Sequence, residues 1–248
     1  MRLLAAAVCA AMAVAASDAQ AALVDLNTWA GAEGAGTWNI SGDGNSVTQT
    51  LNTNPGVFHN GTDSQGQFLS GTIRVNTTSD DDFIGFVLGY NAGDISSNDA
   101  DYLLIDWKQG TQSFFGCSGT AGLAISRVTG PLGNDSGAWC HDPANNVTEL
   151  ARAANLGSTG WADLTTYEFV LEFTASRVRV FVGGTEEIDI TGSFTDGSFG
   201  FYNYSQANVT YAGLQQGTVI PLPAAAWLLL SGVGALGALA GLRRHRAG

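Results

Sequence analysis

The chain has 248 residues, a formal charge of −12, 33 glycines and a single lysine, Lys108. An acidic surface of this kind repels the phosphates of nucleic acid, which excludes that class of partner. An acidic, lysine-poor, glycine-rich chain fits a β-protein whose carboxylates serve cations, or one that its charge simply keeps soluble.

Residues 1–21 combine a charged start at Arg2, an apolar stretch from Leu3 to Ala16 and the pattern Ala19-Gln20-Ala21. They read as a secretory signal peptide, which takes Cys9 away with it. One domain is expected over 22–216. Its first part holds short apolar or β-branched runs, Leu23 to Trp29, Thr37 to Ile40 and Val47 to Leu51, with Gly42-Asp43-Gly44-Asn45 a hairpin turn. From Phe68 to Val75, Leu69, Ile73 and Val75 share one face, and Ser70, Thr72 and Arg74 the other.

Phe83 to Tyr90 and Tyr102 to Trp107 are almost continuously apolar, as in strands buried on both faces. Asp80, Asp81 and Asp82 stand in front of the first run, and Asp94, Asp99 and Asp101 lie in the connection. Three adjacent carboxylates repel one another unless a cation or solvent screens them. Calcium takes roughly six to eight oxygen ligands, largely carboxylate and carbonyl, so the triplet is the first candidate site. Asp101, Asp106 and Asp163 rank below it.

Gly122 to Val128 is a further strand, and residues 133–160 are the least regular part. Within them Thr148 to Asn155 reads either as a short helix, because Leu150 and Ala154 lie one turn apart, or as part of a binding loop. Cys117 and Cys140, an even pair in an oxidising compartment, are expected to form a disulfide contributing roughly 3 kcal/mol. A zinc site using them with His141 lacks a second close-spaced ligand pair. Trp107 is assigned to the core, whereas Trp139 and Trp161 are candidates for ligand binding by sugar stacking.

Clean alternation returns at the end of the domain, in Tyr167, Phe169, Leu171 and Phe173, then Val178, Val180 and Val182. Many short strands with little helix argue for an all-β sandwich of the jelly-roll kind. Catalysis is not expected. Glu187-Ile188-Asp189-Ile190-Thr191-Gly192 offers the first two carboxylates of a laminarinase-type glycan-cleaving strand, but Gly192 replaces the acid. Glu187 and Asp189 are therefore read as a solvent-facing strand edge, and His59 and His141 as surface residues. The tail, 217–248, holds an uncharged apolar segment long enough to span a bilayer at 224–242 and a basic end at 243–246.

Two resemblances meet in this chain. Ile220-Pro221-Leu222-Pro223-Ala224, followed by a single apolar transmembrane helix and by Arg243 and Arg244, resembles a PEP-CTERM sorting signal of the VPLPA subtype. This implies a Gram-negative bacterium, an exosortase-type processing enzyme as partner, transient anchoring in the inner membrane and a final place at the cell surface or outside it. Residues 68–214 resemble the C-terminal, L-type-lectin-like domain of thrombospondins. The residues that carry this are the run at 80–90, Trp107-Lys108-Gln109, Thr111-Gln112, Gly122-Leu123, Thr129-Gly130-Pro131, Trp139, Gly160-Trp161, Asp163, Tyr167, Gly200-Phe201 and Ser205-Gln206. The resemblance implies a concanavalin-like jelly-roll β-sandwich, bound Ca2+ and adhesion through an extracellular glycan or matrix protein. No Arg-Gly-Asp sequence is present, and Cys117 and Cys140 are additions, so no animal receptor carries over. The expectation is an exported, calcium-binding, lectin-like adhesion module. A structural matrix component without a ligand is the alternative, and a glycan-active enzyme the more remote one.

Overall fold

The computed structural model describes residues 21–219. The expected signal peptide up to residue 20, the motif at 220–224, the segment at 224–242 and the basic end at 243–246 lie outside the described residues. Among the described residues no helix is long and apolar enough to cross a membrane.

Two antiparallel sheets pack face to face. Across the first the order is Thr185–Thr191, Arg177–Val182, Thr166–Phe173, Gln67–Val75, Val209–Thr218, Ser46–Gln49 and Trp38–Ile40, with Ala22–Leu23 paired to Val209–Thr218. Across the second it is Val147–Arg152, Gly122–Val128, Tyr102–Lys108, Phe83–Tyr90, Ser198–Tyr204, Gly56–His59 and Gly31–Gly34. A separate hairpin pairs Gln112–Phe114 with Cys117–Gly119.

Alternation sets the inner face of the first sheet. Phe169, Leu171, Phe173, Val178 and Val180 enter the core, while Glu172 and Arg179 pair across the other face. The second sheet is buried on both sides. Leu103, Ile105 and Trp107 join the core between the sheets, whereas Tyr102 and Leu104 join a second apolar cluster with Trp139 and Val147. Leu132, Ala138 and Trp139 bring residues 130–146 over that outer face, which is why the strands beneath read as unbroken apolar runs. The cover includes a short helix, Ser136–Cys140, capped by the Asp135 carboxylate at its start and by His141 in the left-handed conformation at its end.

Two local expectations are corrected. The first strand ends at Leu23, because the Asp25 carboxylate accepts the Asn27 amide and winds Leu26–Thr28 into a 3-10 turn. Thr148 to Asn155 does not form a helix: Val147–Arg152 is an edge strand antiparallel to Gly122–Val128. The apolar spacing misleads there because Leu150 is exposed. The last strand runs over Val209–Thr218.

Candidate metal centre

The strand Phe83–Tyr90 begins where three carboxylates converge. One oxygen from each of Asp80, Asp81 and Asp82 lies within 4.8 Å of the others, the one such acidic group among the described residues. The backbone beneath them is pinned. Trp161 Nε1 donates to the Asp82 carbonyl (3.0 Å), and the Asp82 amide donates to Gln206 Oε1 (3.1 Å). The amides of Gln109 and Gly110 both donate to the Asp81 carbonyl. A Cβ on Gly110 would meet Asp81 Oδ2, so glycine there leaves room for that carboxylate.

Lys108 answers one of the three charges. Its ammonium donates to Asp82 Oδ1 and to Gln112 Oε1 (2.8 Å), and it lies 4.7 Å from the Phe83 ring centre and 4.4 Å from that of Trp139. At 0% exposure it is the most thoroughly buried charge among the described residues. Register places it there, because Lys108 pairs with Phe83 at the end of the strand ladder. Gln112 Nε2 donates to Asp81 and Asn52 Nδ2 to Asp80. Burial, and then the Asp82 charge, raise the Asp80 carboxyl above its usual range. Three carboxylates against one ammonium leave an excess of two negative charges, the charge of a divalent cation and the donor set of a hard one.

The lower-ranked carboxylates do not join this group. Asp101 takes a bidentate ion pair from Arg127 (2.6 Å on both oxygens), and that hydrogen bonding holds its carboxyl below the usual range. Asp106 accepts His141 Nε2 (2.9 Å), while Asp163 meets Gln109 Nε2 (3.3 Å). Each is engaged by a donor of its own chain. Trp161 is also corrected as a stacking candidate: at 2% exposure its ring belongs to the core and its indole nitrogen braces the triplet.

Both histidines of the domain are buried rather than on the surface. His59 sits in its strand with Nδ1 near Ser198 Oγ (3.4 Å), and burial lowers its pKa. His141 bridges Asp106 (2.9 Å) and Glu149 (2.8 Å). Burial pulls its pKa down, but the two carboxylates outweigh this and lift it to about 10. Glu187 is not solvent-facing. A bulge opposite Val180/Phe181 turns it inward, where it accepts the amides of Asn155 (2.9 Å) and Leu156 (3.0 Å). Asp189 accepts two bonds from Arg177 (2.7 Å each).

Beside the triplet opens a cavity of about 800 Å³. Asp82, Gln112, Trp139 and Tyr204 form part of its wall, with Asn52, Asn54 and Asn134 around it. Trp139, the second stacking candidate, is buried except where it lines this cavity. Cys117 and Cys140 form the expected disulfide, joining the Gln112–Phe114 hairpin to the helix that carries Trp139 (Cα–Cα 6.3 Å). Sequence reading missed Lys108, Gln112 and Phe114 as parts of this end of the molecule. The lone lysine, two residues after a buried aspartate in an apolar strand, was the available signal.

The family model for the thrombospondin C-terminal region matches residues 33–218. The chain belongs to that family. Cartilage oligomeric matrix protein of Rattus norvegicus is 27% identical over 196 residues, covering 72% of this chain and 25% of that protein. Thrombospondin-3b of Danio rerio is 28% identical over 195 residues, covering 71% of this chain and 20% of that protein. The aligned part thus spans a quarter or less of these thrombospondin relatives. Among solved structures, the carbohydrate binding module CBM66 from Bacillus subtilis superposes with a TM-score of 0.51 at 12% identity, covering 74% of this chain and 92% of that one. This likeness shows that the thrombospondin C-terminal region shares its sandwich fold with that module.

Proposed function

We propose that this domain is an exported, calcium-dependent, lectin-like adhesion module whose ion is held by Asp80 and Asp81 with the free oxygen of Asp82. The two uncompensated charges of the triplet carry this reading. Asn52 Nδ2 and Gln112 Nε2 donate to Asp80 and Asp81 and hold those two carboxylates in place, so the oxygen donors of the site are the carboxylates themselves. When bound, the ion would supply charge neutralisation at the strand start at Phe83, beside the loop bearing Asn52 and the hairpin bearing Gln112. The chain's own contribution is Lys108, whose ammonium donates to Asp82 Oδ1 and holds that carboxylate in place beside Asp80 and Asp81.

Membership of the thrombospondin C-terminal family and the printed name of a matrix protein among its relatives support adhesion outside the cell. The disulfide supports an oxidising compartment. The tail motif supports sorting by an exosortase-type enzyme in a Gram-negative bacterium, through an inner-membrane stage, to a glycan or matrix protein at the surface. Binding rather than cleavage is favoured because Glu187 and Asp189 are both committed to structural bonds.

Thermal melting of the full chain in detergent, with calcium and then with chelator, tests the reading. At a hundredfold excess over Kd, linkage gives about 2.7 kcal/mol, or roughly 5–11 °C for a domain of this size. Asp80→Asn with Asp81→Asn abolishes the rise, and Asp82 is left intact because Lys108 depends on it. An unchanged melting point in calcium and chelator would leave a matrix component without an ion.

A further inference from the structure

The Gln112–Phe114 and Cys117–Gly119 strands are joined by Phe115 and Gly116, both at positive φ (49° and 76°). A two-residue turn of this hand ordinarily takes asparagine and glycine, and a bulky ring there is held against its preference. The disulfide holds it, by fixing Cys117 to Cys140 one residue from Trp139. The outcome is unusual exposure. Phe114 is 54% and Phe115 40% exposed, the only exposed aromatic side chains among the described residues. Their rings lie 4.3 Å apart edge to face, and Phe114 lies 5.3 Å from Trp139; Phe114 and Trp139 line the cavity, with Phe114 its exposed aromatic platform.

The rest of the cavity wall is neutral and polar away from the triplet. Asn54 and Asn134 stand exposed on it, and Asn134 uses only its oxygen, which accepts the Tyr204 hydroxyl (2.6 Å). A carboxamide offers donors and an acceptor together, as the hydroxyls of a sugar demand. The aromatic face, negative at its centre, meets the C–H face of a pyranose. Lys108 is sealed beneath, so no basic side chain faces an acidic polymer in the groove, and an ion at the triplet would only balance the carboxylates' own charge. We infer that this groove binds a neutral oligosaccharide, with a pyranose stacked on Phe114 and its hydroxyls bonded by Asn54 and Asn134. The inference rests on the adhesion-module reading and supplies its ligand class and its subsite.

The test is calorimetric titration of the full chain in calcium and detergent with neutral gluco-, galacto-, manno- and xylo-oligosaccharides, with oligouronates and casein peptides as comparisons. The wild type is expected to bind at least one neutral series saturably and no oligouronate. Phe114→Ala weakens that binding about tenfold with an unchanged melting temperature, because its ring is mostly outside the core. Asn54→Ala, on the rim, weakens it without touching the platform. Equal sugar binding by wild type, Phe114→Ala and Asn54→Ala overturns the subsite while leaving the adhesion module standing. Peptide binding without sugar binding, lost in Phe114→Ala, assigns the groove to protein and overturns the inference. No binding by the wild type to sugars or peptides removes both this subsite and the ligand-binding reading.

Discussion

Lys108 and Arg179 are surrounded by similar partners. The ammonium of Lys108 meets Asp82 and Gln112 and lies over Phe83 and Trp139. The guanidinium of Arg179 meets Glu172 (2.9 Å) and Glu186 (2.5 Å) and lies 4.6 Å from the Phe181 ring centre. They differ in water. Lys108 is wholly buried, whereas the Arg179 side chain keeps 28% of its exposure on the outer face of the first sheet. Solvent screens this surface pair and can replace either partner, but nothing replaces a partner in the buried cage. Equivalent contacts therefore make an adjustable surface in one place and a fixed constellation in the other.

The largest test of that contrast is Lys108→Met. It leaves Asp82 buried without its counter-ion, and chemical denaturation is expected to show a loss of about 3–5 kcal/mol. A loss below about 1 kcal/mol would make the cage no different from the Arg179 pair on the sheet surface.

His141 sharpens the comparison because its charge is buried like that of Lys108 but can be titrated away. Its pKa is about 10 in the fold against 6.5 when unfolded, so its contribution is complete below pH 6.5 and fades as pH rises to about 10. Stability measured across that interval should decline in the wild type and flatten in His141→Gln. Equal slopes in the two proteins would mean that Asp106 and Glu149 are not holding a charged imidazole.

Gly110→Ala changes no charge and asks whether the position of Asp81 matters. The added methyl displaces Asp81 Oδ2, and calcium affinity is expected to fall roughly tenfold, with a smaller effect on stability. Calcium titration that gives the wild-type Kd would remove Asp81 from the ligand set. The smallest effect belongs to Arg179→Met, expected to cost at most about 1 kcal/mol in denaturant, less at high salt.

How much of this was legible depended on whether a residue's partner lay in the local pattern. Alternation at 167–173 and 178–182 fixed which side chains face inward, and the apolar runs at 83–90 and 102–107 announced burial on both faces. The acidic triplet was legible as a cluster because its members are adjacent. Its counter-ion was not, since Lys108 reaches Asp82 only through strand register. Glu187 misled for a related reason. Strict alternation puts it outside, and a single bulge opposite Val180/Phe181 turns it in to the amides of a distant loop. His141 and Glu149 meet only because 148–152 is extended, so reading a helix there hid the pair.

The seclusion of the chain's one lysine also governs its covalent chemistry. Succinimidyl esters, glutaraldehyde and enzymes that join proteins through lysine all need an amine in solvent, and the side chain of Lys108 offers none. Among the described residues proteolysis by trypsin is left to the arginines. Cross-links through lysine therefore have no purchase on the folded domain.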